Sequence, residues 1–278
     1  MKRILPFLAI AIVAFLVFSG CEQQSTEPEP ETFDPPTDVA YVTYQDSVKI
    51  TWTASDDEGD SGFAGYLIYR RENAGFSSLS DSAIATYLMF PSPVTGTELM
   101  VHGLPSDRMH FFALRSIKIT GDDTTLSGLS NSVDTSPTIW FSDTIHEVAG
   151  GSGVICAIDF DNQLIYPMEL TYLNHIDIYL GVNDSARLSL RSPSLYGAEW
   201  SGRVAQIKRL GGMADDVSQY DSAGGEDGWA SEVEVYPRDI YAVKMGSHYS
   251  KVYIQSFYGS DGIVFTAAYQ DVEDYDHF

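Results

Sequence analysis

Imidazoles and carboxylates are the side chains of this sequence that could do chemistry, and their spacing limits which chemistry is open. Six histidines are present: His102, His110, His146, His175, His248 and His277. None forms a His-x-His or His-x₃-His pair, so no single segment offers two imidazoles to one metal. Any metal or haem iron would need imidazoles that the fold brings together. Cys-x-x-Cys-His is absent, which excludes covalent c-type haem. Asp56, Asp57, Glu58 and Asp60 crowd carboxylates into one loop. Hard oxygens are what Ca²⁺ takes, so Asp56, Asp57 and Asp60 are the candidate calcium ligands. Their spacing lacks the order of an EF-hand and its closing Glu. Acidic turns also occur at Asp122-Asp123, Asp215-Asp216 and Glu226-Asp227, as solvated loops do in a chain of formal charge −23.

Catalytic signatures are missing. There is no Gly-x-Ser-x-Gly elbow, no His-Glu-x-x-His helix and no phosphate-binding Gly-Lys-Ser/Thr loop, so the chain is not expected to be an enzyme. Trp140, Trp200 and Trp229 would suit carbohydrate stacking if exposed, and core packing if not. Cys156 sits in the apolar stretch Gly153–Ile158, where a buried, unreactive thiol is expected. The acidic balance opposes binding to phosphate, so nucleic acid is excluded as a partner.

The elements that must position these groups are strands. Val48, Ile50 and Trp52 alternate with Lys49 and Thr51, one apolar face at period two. Gly65–Arg71 is rich in β-formers and reads as a second strand. Leu99–Leu104 and the segment around Phe112-x-Leu114-x-Ser116 are two more. Beyond Pro137 the texture changes. Gly-Gly turns at 150–151, 211–212 and 224–225 separate strand candidates at 154–160, 175–180, 186–190, 204–210, 240–245, 251–257 and 263–269. Partial alternation in the last three predicts antiparallel strands with one face in water. No amphipathic helix longer than three turns is apparent. The chain therefore reads as all-β, and Pro137 marks a boundary with few contacts expected across it.

The first residues resemble a bacterial lipoprotein leader. Lys2 and Arg3 precede an uncharged run, Ile4–Phe18, which is shorter than the roughly 20 apolar residues of a bilayer span. Ser19-Gly20-Cys21 follows and is similar to a lipobox, with Phe18 where leucine is usual. The resemblance implies a signal peptide over 1–20 and lipidation (palmitate among the chains) at Cys21. Membrane partnership would run through that lipid, since anionic surfaces repel the protein. Residues 21–34 are acidic and Pro-rich and read as an extended tether. An acidic stretch there is similar to the surface-export signal of some outer-membrane lipoproteins, which implies the cell envelope, the outer membrane and its exposed face.

Two further resemblances cover the rest. Pro36 with Val39, Val48-x-Ile50-x-Trp52, Gly65-Tyr66-x-Ile68-Tyr69-Arg70, Leu104-Pro105, Phe112-x-Leu114-x-Ser116, Ser127 and Ser130 resemble a fibronectin type III domain over 35–136. That family is an immunoglobulin-like sandwich with a tyrosine corner six residues after the leucine. The position here is His110, which is expected to pack at the corner and donate a hydrogen bond in place of the phenol. Residues 137–278 form a second antiparallel β-rich domain. Its segments Asp239–Ile254 and Asp261–Tyr269, and more loosely Ala157–Phe160 and His175–Leu180, are similar to HmuY-like lipoproteins. That family is all-β and outer-membrane anchored, and some members bind haem through paired histidines. The resemblance implies haem as a cofactor, with His175 and His248 as its ligands.

These readings combine into a lipid-anchored envelope binding protein. The second domain would hold a small ligand or haem, and the first would act as a spacer or protein-binding module. The alternatives are a structural or adhesion lipoprotein without a small ligand, and a carbohydrate-binding accessory protein or enzyme.

Overall fold

Apolar residues at alternate positions build two β-sandwiches in series. The computed structural model describes residues 33–151 and 153–278. The expected signal peptide, the expected lipidation site Cys21 and most of the expected tether lie outside the described residues. Residues 33–278 cluster as a single unit. The longest helices in it are the four-residue turns Asp56–Gly59 and Asp81–Ile84, and none of the described helices is long and apolar enough to cross a membrane.

The first sandwich has seven strands: β1 (Thr37–Tyr44), β2 (Ser47–Thr53), β3 (Phe63–Glu72), β4 (Glu98–His102), β5 (His110–Thr120), β6 (Asp123–Leu126) and β7 (Val133–Thr135). One sheet runs β1-β2-β4, and the other runs β3-β5-β6 with β7 also on β5; every pairing is antiparallel. Val48, Ile50 and Trp52 point between the sheets and meet Tyr66, Ile68, Phe112 and Leu114. Trp52 and Tyr66 pack edge-on, their rings 5.4 Å apart. Where the ladder breaks between β6 and β7, the Ser127 and Ser130 hydroxyls accept from the Ser116 and Leu114 amides at 2.9 Å, so no β5 amide is stranded there. Gly65 sits at a bulge in β3 with φ +125°, and a Cβ there would lie 2.5 Å from the Val94 carbonyl oxygen.

The joint is buried. Ser136, Pro137 and Thr138 are inaccessible to solvent. Ser136 donates to the Ser106 carbonyl at 2.9 Å, the Trp140 ring lies 6.0 Å from Tyr44, and the Tyr275 hydroxyl bonds Tyr41 at 3.1 Å and the Asp134 carbonyl at 2.8 Å. The sequence had pointed to few contacts here. Its pattern does not show that a C-terminal tail returns to the joint.

The second sandwich has ten strands: β8 (Ile139–His146), β9 (Ile155–Asp159), β10 (Leu164–Pro167), β11 (Ile178–Val182), β12 (Leu188–Arg191), β13 (Ala205–Gly211), β14 (Glu232–Glu234), β15 (Ile240–Met245), β16 (His248–Tyr258) and β17 (Gly262–Gln270). Two five-stranded antiparallel sheets, β10-β9-β11-β12-β14 and β13-β15-β16-β17-β8, enclose a core that includes Ile158, Phe160, Leu180, Tyr241, Val252 and Phe265. The outer face of β15–β17 was expected to be wet. It is instead covered by residues 213–230 and 271–278, which bury Ala242, Lys251 and Ala268.

Candidate functional site

At one end of the second sandwich four connections meet around a cavity of about 430 Å³. They are the β9–β10 turn, the approach to β11, the approach to β13 and the β15–β16 hairpin. His175 and His248 both line it, together with Asp159, Asp161, Asp177, Arg203 and Tyr269.

Each wall follows from local chemistry. Asp159 ends β9, and its carboxylate accepts from the Asn162 amide at 3.0 Å and the Asn162 side chain at 2.9 Å, closing the β9–β10 turn. His175 follows the 3₁₀ turn Leu170–Tyr172, whose last carbonyl accepts from its amide at 2.9 Å. Its ring Nδ1 lies 3.3 Å from the Asp159 carboxylate, and Tyr166 packs against the ring at 5.8 Å. His248 opens β16 beyond the tight turn at Gly246, where φ is +59°. Its ring stacks on Tyr269, 5.9 Å between centroids.

Asp177 is a second buried acid of the cleft. It accepts from the Phe160 amide at 2.8 Å and from Arg203 Nη2 at 2.9 Å. Arg203 also donates twice to the Ile176 carbonyl, which fixes the guanidinium across the mouth of the second sheet. Burial pushes the Asp177 carboxyl up to about 7, against the pull of the Phe160 amide and Arg203. Burial, reinforced by the Asp161 carboxylate, raises the Tyr269 hydroxyl well above the usual phenol range. The wall thus carries three carboxyl groups against one guanidinium, and that guanidinium already has partners.

The acidic loop Asp56–Asp60 has a different role. Residues Asp56–Gly59 form a 3₁₀ turn capped by Ser55, Asp57 accepts from the Asp34 amide at 2.6 Å, and Glu58 accepts from the Tyr66 hydroxyl at 3.0 Å. No three His, Cys, Asp or Glu side chains among the described residues are grouped so as to hold a metal ion. This covers Asp56, Asp57 and Asp60, so the calcium expectation finds no coordination group there. His110 is fully buried, and its Nε2 donates to the Pro105 carbonyl at 2.9 Å. Trp200 is buried, Trp140 and Trp229 are half-buried, and no aromatic platform forms from the three. Cys156 is buried, and burial raises its thiol to about 11.

Asp159, Asp161, Asp177, Arg203 and Tyr269 escaped the sequence reading. The available signal was a lone aspartate inside an apolar run, in Ala157–Phe160 and Ile176–Ile178. Such a residue must be bonded or must face a cleft.

No family model matches the chain, and no curated protein matches it. Among solved structures, a myokine structure is 17% identical with a TM-score of 0.27, covering 38% of this chain and 99% of that one. A Yersinia enterocolitica family 28 exopolygalacturonase is 15% identical with a TM-score of 0.28, covering 44% of this chain and 23% of that one. Titin kinase with its flanking domains is 10% identical with a TM-score of 0.29, covering 88% of this chain and 38% of that one. The chain spans well under half the length of the latter two.

Proposed function

We propose that this chain is a lipid-anchored cell-envelope binding protein whose second sandwich takes a small cationic ligand in the His175–His248 cleft. One observation carries the reading. Two imidazoles and three carboxyl groups from separate connections converge on a single cavity of about 430 Å³. A protonated amine would find acceptors at Asp161 and Asp159 and aromatic faces at Tyr269 and His248, in a cleft of net negative charge. The leader ending in Ser19-Gly20-Cys21 supports anchoring through Cys21 to the envelope. The fibronectin type III resemblance of residues 35–136 is consistent with their two-sheet strand order and supports a spacer role for them.

Haem is the second reading, favoured by the shared cavity of His175 and His248. The donor pair fits: Asp159 holds His175 Nδ1 and leaves Nε2 for a metal, a common second partner for a ligating imidazole. The walls do not fit. A porphyrin needs a broad apolar slot and cations for its two propionates. This cleft offers carboxylates and one arginine that is already bonded. Calorimetric titration of the full-length protein with spermidine, and spectral titration with haemin, separate the two. Saturable spermidine binding weakened tenfold or more by Asp161→Asn supports the amine reading. A sharp Soret band lost in both His175→Ala and His248→Ala would select haem, and neither signal would leave a structural lipoprotein.

A further inference from the structure

On the opposite face of the β15–β17 sheet lies a group the cleft does not use. Lys251, in the middle of β16, is 1% exposed. Its neighbours across the ladder are Ala242 and Ala268, which leave room for its chain to lie flat beneath the cover of residues 213–230 and 271–278. Its ammonium has one hydrogen bond, 2.8 Å to the Tyr220 carbonyl, and the Phe278 ring stands 5.2 Å away. No carboxylate among the described residues is within ion-pair distance of it. A buried ammonium without a counter-ion is costly, and the cost falls on whatever keeps water out.

Backbone bonds tie the two segments of the cover to each other. Ala223 N–H donates to the Asp276 carbonyl at 2.8 Å, and Phe278 N–H to the Asp221 carbonyl at 2.8 Å. The tail does two other jobs. Asp274 N–H bonds the Ser247 carbonyl at 2.7 Å, beside His248 of the cleft, and Tyr275 bridges to Tyr41 and Asp134 of the first sandwich. We propose that Lys251 is a proton-operated clasp: its neutral amine keeps the cover closed, and its protonation releases residues 213–230 and 271–278. Acidification would then free the β15–β16 turn and the bridge between the sandwiches together.

The groups facing Lys251 are few. Asp216 and Asp221 on the cover favour its charged form from a distance. The tail brings Asp276 and His277, whose Nδ1 is 3.0 Å from the Asp276 carboxylate. The same sheet face carries Lys208, which bonds the Gly225 carbonyl; Lys244, whose ammonium lies over the Tyr249 ring; and Tyr253, whose hydroxyl donates to the Ala214 carbonyl. Burial nonetheless lowers the Lys251 ammonium to about 7.

Amide exchange in the full-length protein tests the clasp at Ala223 and Phe278, with the intrinsic pH dependence of exchange divided out. With the closed-cover amine at about 7 and an exposed lysine at about 10.4, opening coupled to uptake of one proton rises about tenfold per pH unit as pH falls from about 10 to 7, and levels off below 7, where the closed form carries the proton as well. The wild type should show that rise as pH falls from 9 to 7, and Lys251→Met should be flat. Equal protection of the wild type across the range, or an unchanged slope in Lys251→Met, would overturn the proposal. Should Lys251→Met fail to fold, Lys251→Gln decides: it should be equally flat, and a wild-type slope in it would overturn the proposal.

Discussion

His110 offers a test in which two opposing costs can be weighed. Its ring is fully buried, Nε2 donates to the Pro105 carbonyl at 2.9 Å, and Nδ1 has no partner. His110→Phe removes a bond of net worth about 0.5–1.5 kcal/mol and leaves the carbonyl unpaired, at about 1–3 kcal/mol. The same change removes the orphaned Nδ1, whose burial costs about 1–3 kcal/mol. The two penalties nearly cancel, so the expected loss at pH 8 is about 1 kcal/mol. His110→Ala keeps the unpaired carbonyl and adds a cavity, for about 3 kcal/mol. Burial lowers the imidazole below its usual 6.5. The folded state therefore resists a proton that the unfolded chain accepts. The stability tied to this group is complete above 6.5 and falls as pH drops below it, by at most about 1.4 kcal/mol per unit, until the lowered folded-state value is passed. Urea unfolding of wild type and His110→Phe at pH 8 and pH 5, with amide exchange along β5 reporting the first sandwich, reads the difference. Equal acid sensitivity in both proteins, or a cost near zero for His110→Ala, would refute the reasoning.

Two further outcomes are expected. Cys156, buried with its thiol raised to about 11, should react with iodoacetamide at pH 8 only under denaturant, and rapid labelling of the native protein would contradict its burial. If Cys21 carries the proposed lipid, Cys21→Ser should move the protein from the membrane to the soluble fraction, since two acyl chains would supply the membrane affinity; unchanged membrane retention would remove the anchor.

Period-two alternation made most of the fold legible. Val48-x-Ile50-x-Trp52 marks β2, and the 240–245 candidate coincides with β15. The short strands β10 and β14 were missed, because three or four residues hold too little pattern. The 175–180 candidate began too early. His175–Asp177 lie before β11, where they can turn into the cleft instead of alternating across a sheet. The histidine pair was visible as residues but not as a pair, since convergence depends on a hairpin and a 3₁₀ turn about 70 residues apart in sequence. Lys251 misled for another reason. A lysine in an alternating strand signals a wet face, and only the tertiary cover, contributed by remote and weakly patterned loops, makes that face dry.

The central claim is that the His175–His248 cleft receives a ligand. Amide chemical shifts recorded while spermidine is added to the full-length protein test it most directly. The account predicts saturable shifts confined to Asp161, Asn162, His175, Gly202, Gly246 and His248, lost in Asp161→Asn. Shifts that never saturate, or that spread over acidic turns such as Asp56–Asp60 and Asp122–Asp123 with equal strength, would mean that the cleft has no preference over the rest of an acidic surface.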